Sequence, residues 1–242
     1  MSLTGKTILI TGAGKRIGRS LALAVAHAGA DVAVHYGSSS AGAEQTALEI
    51  RSLGRRAVSL QADLAIPSQT GTLVRRAIDA LGPLDALVNN AAIFEPLDWQ
   101  DITLESWERH LAINLTAPFL LSQAFASAIQ AGASGRIVNI LDWRALRPGP
   151  DHLPYTISKA GLVALTRSLA QALAPRISVN GLALGAILPP SDGGDTPDIL
   201  ANVPARRWAE PGEVESALLF LLTGPAYLTG EIIHVDGGRH LV

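Results

Sequence analysis

The chain has 242 residues, a formal charge of −2 and no cysteine. A chain of this length buries roughly 70–75% of the surface its unfolded form exposes, enough for one substantial core without a second domain. The near-neutral charge gives no strong field for a phosphate backbone or an anionic lipid surface, and the lack of cysteine excludes disulfides, thiolate metal ligands and a cysteine nucleophile.

Short apolar runs predict β-strands at 7–11, 31–36, 57–61, 86–89, 136–141, 177–180 and 232–235. Between them, helical periodicity predicts helices at 17–28, 41–53, 68–81, 104–131, 155–173 and 212–222. Nearly continuous apolar strands alternating with helices indicate a parallel sheet covered on both faces. The expected fold is therefore α/β, doubly wound, with about seven strands in one domain spanning residues 1–242. The chain enters its first apolar run at Thr7, which leaves no room for a signal peptide. Apolar stretches such as 217–222 fall short of the roughly 20 residues that span a bilayer, so a cytoplasmic location without a membrane partner is expected. Residues 188–205 hold Pro189, Pro190, Gly193, Gly194, Pro197 and Pro204. A segment so rich in breakers reads as a substrate-covering loop, or as an ordinary surface excursion.

Chemistry enters at three places. After the first strand comes Thr11-Gly12-Ala13-Gly14-Lys15-Arg16-Ile17-Gly18, opening a helix. Such a turn brings backbone N–H groups and the positive helix end against a pyrophosphate. The second strand ends in His35-Tyr36-Gly37-Ser38-Ser39-Ser40, with no acid to hold a ribose diol. Ser38 and Ser39, with Lys15 or Arg16 nearby, suit a 2′-phosphate, which favours NADPH over NADH. Asp63, after the third strand, either binds adenine or caps the following segment. Tyr155 and Lys159, four apart, share one helical face, where an ammonium can lower a phenol's pKa. Asp142, thirteen residues before Tyr155, either joins a proton relay or only orients a loop.

The segments TGAGKRIG at 11–18, NNAA at 89–92, Asn114, YTISK at 155–159 and VDGG at 235–238, in this order, resemble the short-chain dehydrogenase/reductase family over nearly the whole chain. The resemblance implies a Rossmann-type sheet, hydride transfer from a nicotinamide, Tyr155 as acid, and Lys159 on the nicotinamide ribose. It implies that Asn114 supports a relay water, although Asn114 taken alone reads equally as a helix-bending residue. NADPH contacts are implied for Gly12, Lys15, Arg16, Ile17, Tyr36, Ser38, Ser39, Asp63, Leu64, Asn90, Tyr155 and Lys159. No metal is implied.

Within the family the chain looks most like the pteridine and dihydromonapterin reductases. Arg16 stands at the second loop glycine, Phe94 at a pterin-stacking position, and Asp142 where other members carry serine. The tail Gly237-Gly238-Arg239-His240-Leu241 resembles tails that approach a neighbouring subunit's site. This likeness implies a pterin substrate contacting Arg16, Phe94, Asp142, Trp143 and Tyr155, and a homotetramer built through the long fourth and fifth helices. Trp143 reads as pocket wall or gap filler. Ala92, Leu184-Gly185 and Ser38 depart from the pattern. The expected activity is reduction of a 7,8-dihydropterin, and of an oxidised pterin as a related substrate. The alternatives are a carbonyl or 3-oxoacyl-thioester reductase and a catalytically silent NADPH-binding regulator.

Overall fold

A computed structural model describes residues 2–189 and 197–242. Seven strands form one sheet: β1 (Thr7–Ile10), β2 (Asp31–Tyr36), β3 (Ala57–Gln61), β4 (Ala86–Asn89), β5 (Gly135–Asp142), β6 (Ile177–Leu184) and β7 (Ile232–Val235). Their spatial order is β3-β2-β1-β4-β5-β6-β7, and every neighbouring pair is parallel. Alternation along β1 shows why both faces must be covered. Ile8 and Ile10 enter one apolar cluster, whereas Leu9 enters the other, and all three are fully buried.

The first cluster is closed by α1 (Arg16–His27), α2 (Ser40–Ser52) and α8 (Glu213–Thr223), through side chains such as Leu21, Ile50 and Leu218. The second is closed chiefly by α3 (Pro67–Leu81) and α5 (Ala117–Ala128), which carry Leu73, Leu121 and Phe125. Helix α6 (Leu153–Leu173) covers the β5–β6 region with Leu162 and Val163. This is a Rossmann-type arrangement, and its strand order reverses between β1 and β4. That reversal opens a crevice at the carboxyl ends of these strands.

Three element boundaries depart from the sequence pattern. β6 continues through Gly181 to Leu184 instead of stopping at 180. A Cβ at Gly181 would come within 2.4 Å of Leu141 and 2.6 Å of Ile232. This glycine is a close-packing position inside a strand, and not a terminator. The helix expected at 104–131 is divided into α4 (Leu104–Leu111), a π-helical turn (Ala112–Thr116) and α5. A short α7 (Pro197–Ala201) lies within the stretch expected to be loop. The run Leu104–Ala128 contains an 18-residue window of mean hydropathy 1.3, long and apolar enough by composition alone to span a bilayer, contrary to the sequence expectation. In the fold its Leu121 and Phe125 pack against the sheet and α3 as part of the core. The expected covering segment, 188–205, lies in part outside the described residues.

Candidate active site

At the crevice, a cavity of about 530 Å³ runs along the carboxyl ends of β1 to β4. Gly12, Lys15, Arg16, Ile17, Ser38, Ser39, Asp63, Leu64 and Asn90 line it. Tyr36 is not in this wall and packs against the first apolar cluster instead. The loop holds its shape because side chains cannot intrude. Gly12 has φ +65°, and a Cβ on Gly18 would lie 2.1 Å from the Gly12 carbonyl oxygen. Asn90 fastens the loop from β4 by donating from Nδ2 to the carbonyls of Thr11 at 2.8 Å and Gly12 at 3.3 Å.

His35 also organises this loop, and sequence reasoning did not select it. Its Nδ1 accepts the Gly12 N–H at 3.1 Å, so Nε2 carries the proton donated to the Ala62 carbonyl at 3.1 Å. Burial holds its pKa down to about 4 and keeps the ring neutral. One signal was available: a polar, ionisable residue inside an otherwise apolar strand, just before the phosphate-facing turn. Asp63 lines the cavity, and one of its oxygens accepts the Ala65 N–H at 2.9 Å, which is the capping contact expected of it. Arg16, with φ +50°, donates to the Pro189 carbonyl at 3.0 Å and thereby ties the loop to the segment after β6. The groove fits a dinucleotide: it has a side-chain-free cradle beside a helix N-terminus. Its wall carries Ser38, Ser39 and the cations Lys15, Arg16 and Arg109, and among the described residues Asp63 is the one acid in it.

The candidate reacting groups gather at the end of β5 and the start of α6. The Tyr155 hydroxyl donates to Asp142 Oδ2 at 3.0 Å, and Asp142 Oδ1 accepts the Arg144 N–H at 2.8 Å. Lys159 is buried, and its Nζ donates to the Ile140 carbonyl at 2.7 Å. Burial lowers the Lys159 pKa to about 8, against the raising influence of Asp142. Burial, and then the Asp142 carboxylate, push the Tyr155 pKa well above the usual phenol value. This corrects the expectation that Lys159 lowers it. The ammonium is committed to a backbone carbonyl, while an acid sits on the phenol.

Asn114 lies in the π-helical turn and is fully buried. Its Oδ1 accepts the Ile93 N–H at 2.9 Å, and Nδ2 donates to the Ile93 carbonyl and to Ser158 Oγ, each at 3.0 Å. The side chain thus clamps the β4–α4 connection to α6. Both amide hydrogens are used in that clamp, so the structural reading is the one its side chain fulfils.

Phe94 stacks on His152 with centroids 4.1 Å apart, and meets Tyr155 edge-on at 4.7 Å. It remains 51% exposed. Trp143 is neither a bare wall nor a gap filler: the Arg144 guanidinium lies 4.9 Å and the Arg239 guanidinium 4.3 Å from its ring centroid. His240 turns within its own chain to Asp236, donating from Nδ1 at 2.7 Å, and stacks on His234 at 3.9 Å.

Residues 6–198 match the family model described as short chain dehydrogenase. The chain belongs to the short-chain dehydrogenase family. Its relatives differ in the activities by which they are described. A 3-oxoacyl-[acyl-carrier-protein] reductase of Synechocystis sp. is 35% identical over 98% of this chain and 98% of its own length. FolM alternative dihydrofolate reductase 1 from Brucella suis, solved with NADP, is 34% identical with a TM-score of 0.91, covering 98% of this chain and 96% of its own. A blue fluorescent protein from a metagenomic library, solved with NADPH, is 36% identical with a TM-score of 0.92, covering 99% of each chain. Within this family member, the fold brings Tyr155, Asp142, Lys159 and Phe94 together, sets the loop residues in the adjoining cavity, and keeps Tyr36 apart.

Proposed function

We propose that this short-chain dehydrogenase is an NADPH-dependent reductase of the pterin ring, acting on a 7,8-dihydropterin to give the tetrahydropterin. The observation that carries this reading is the Asp142–Tyr155 hydrogen bond of 3.0 Å, set against the half-exposed Phe94 ring. NADPH is the cofactor that suits the cavity. Ser38 and Ser39 replace the acid that would repel a 2′-phosphate, and Lys15 supplies a cation beside them. When bound, it supplies a hydride to an electrophilic ring carbon.

The chain's own residues do the rest. Phe94 offers an aromatic face to a flat heterocycle. Tyr155, held protonated by burial, supplies a proton to a ring nitrogen, and Asp142, which accepts the Tyr155 hydroxyl, relays a proton from solvent back to the phenolate. An acid suits this task better than the serine of ketone reductases, because the acceptor is a basic nitrogen whose proton must be replaced. Lys159 anchors the end of β5 through the Ile140 carbonyl and adds positive charge beneath the phenol. FolM, named as an alternative dihydrofolate reductase, supports the reading, because dihydrofolate contains a pterin ring.

The second reading is a 3-oxoacyl-thioester reductase, favoured by the Synechocystis relative. Loss of NADPH absorbance with a 7,8-dihydropterin, run beside an acetoacetyl thioester, separates the two. Rapid pterin-dependent oxidation with little thioester turnover is expected, and the reverse result overturns the proposal. Asp142→Ser is expected to lower pterin turnover about 10²-fold, within the range of a lost proton-transfer group, and unchanged pterin rates would remove Asp142 from the chemistry. Assembly as a homotetramer through α4, α5 and α6 accompanies this reading. Leu104, Phe119 and Ile157 leave apolar surface exposed on those helices, and sedimentation would measure it.

A further inference from the structure

Beside the reacting tyrosine, two cations are held against a single indole. Arg144, from the turn after β5, and Arg239, from the C-terminal turn, place their guanidiniums 4.9 and 4.3 Å from the Trp143 ring centroid. Arg144 also lies 5.8 Å from the Phe94 ring, which itself meets Tyr155. The cluster is therefore continuous with the substrate side of the site. It is distinct from the cofactor cavity, whose walls contain neither arginine.

Each guanidinium has five N–H donors in a planar fork. Among the described residues, Arg144 spends one on Asp151 at 2.9 Å and Arg239 one on the Ile199 carbonyl at 3.3 Å. Among the described residues the buried Nε of each has no hydrogen-bond partner. Holding them together has an electrostatic cost: burial, and then the charge of Arg144, lower the pKa of Arg239. Asp142, Asp151 and Asp236 offset this in part: Asp151 pairs with Arg144 itself, while Asp142 and Asp236 are engaged with Tyr155 and His240. Stacking on Trp143 explains how the cations are held, and leaves their donor capacity unspent.

We propose that Arg144 and Arg239 form an anion-recognising subsite, which selects substrates bearing a phosphate or carboxylate group beyond the reducible ring. The proposal rests on the pterin reading for its first choice of probe. A fork from each side can take up anionic oxygens, complete the unused N–H groups and relieve the repulsion between the two cations. The alternative is a purely structural clamp that fastens the C-terminal turn to β5.

The test is a ratio. For the NADPH-loaded enzyme, kcat/KM is measured for the phosphate ester of 7,8-dihydroneopterin and for 7,8-dihydroneopterin itself. A dihydropterin with a carboxylate-bearing side chain distinguishes carboxylate from phosphate as the preferred anion. The wild type is expected to prefer an anionic form by on the order of tenfold. In Arg239→Gln and Arg144→Gln that preference should fall toward unity, Arg239→Lys should keep part of it, and high salt should erode it. NADPH binding followed by fluorescence verifies that each variant is folded.

No anionic preference in the wild type, or an equal fall for charged and neutral substrates in the variants, overturns the proposal and leaves the clamp. If no pterin is reduced, the pterin reading fails separately. The ratio is then taken between acetoacetyl-coenzyme A and the neutral acetoacetyl-N-acetylcysteamine. An arginine-dependent preference there retains the anion subsite, and its absence removes it.

Discussion

The cofactor half and the proposed substrate half of this crevice are built by different means. The cofactor half is mostly backbone: a glycine turn with φ +65° at Gly12, fixed by Asn90 and His35 from neighbouring strands. The substrate half is made of side chains from four separated places: Phe94, the Asp142–Arg144 turn, the start of α6 and the C-terminal turn. Relatives diverge along the same line. The two solved relatives described above hold NADP and NADPH, while the named activities range from 3-oxoacyl to dihydrofolate reduction at 34–35% identity. A backbone cradle survives many substitutions, because few side chains define it. A pocket of side chains changes its substrate with each one.

The largest effect should come from the substrate half. Tyr155→Phe removes the phenolic proton and should lower turnover by about 10²–10⁴, with a much smaller change in NADPH affinity by fluorescence titration. Retained turnover would take proton transfer away from Tyr155. Gly18→Ala is the matching break in the cofactor half. Its Cβ would meet the Gly12 carbonyl oxygen at 2.1 Å and Asn90 Nδ2 at 2.5 Å. Overpacking of this kind costs about 1–3 kcal/mol, so NADPH should bind about tenfold or more weakly. Normal affinity would show that the loop can shift to accept a methyl group.

Two titrations sharpen the contrast. Lys159 has its pKa lowered to about 8, so it is charged below that pH and loses its proton as pH rises through it. Turnover should decline above pH 8 by about tenfold per unit, and Lys159→Met should remove that limb along with most activity. An unaltered limb in the variant would assign it to another group. Folding stability should move the opposite way, rising between pH 8 and the ordinary lysine value as the burial cost of the charge disappears.

The smallest effect on turnover belongs to His35, which is kept neutral down to about pH 4. The unfolded chain takes up this proton near pH 6.5, so the stability contribution is complete above 6.5 and falls as pH drops toward 4, levelling below it. The loss should be at most about 3 kcal/mol, and should appear as a falling melting temperature that is absent in His35→Asn. An identical acid profile in that variant would exclude His35 as its source.

Much of this molecule was legible in one dimension. Seven apolar runs gave the seven strands, because strands covered on both faces are mostly apolar and buried polar positions such as His35 and Asn139 interrupt them only singly. The phosphate loop was legible for a related reason: close approach to backbone demands glycine, and glycine is visible as a letter. The register of helix 104–131 was not, since the π-helical turn at Asn114 depends on contacts with Ile93 and Ser158, 21 and 44 residues away. The end of β6 was missed because Gly181 serves packing against Leu141 and Ile232.

The sequence by itself determined the fold class, the parallel sheet and the nucleotide loop, because these follow from local periodicity and from which residues tolerate a given backbone. Only the tertiary structure decided the chemical state of the reacting groups. Sequence spacing put Lys159 on the same helical face as Tyr155, yet the folded chain gives the lysine to a carbonyl and the phenol to Asp142. It also brings Arg239 to Trp143 from the far end of the chain. Burial and long-range charge act through space, and no reading along the chain carries those distances.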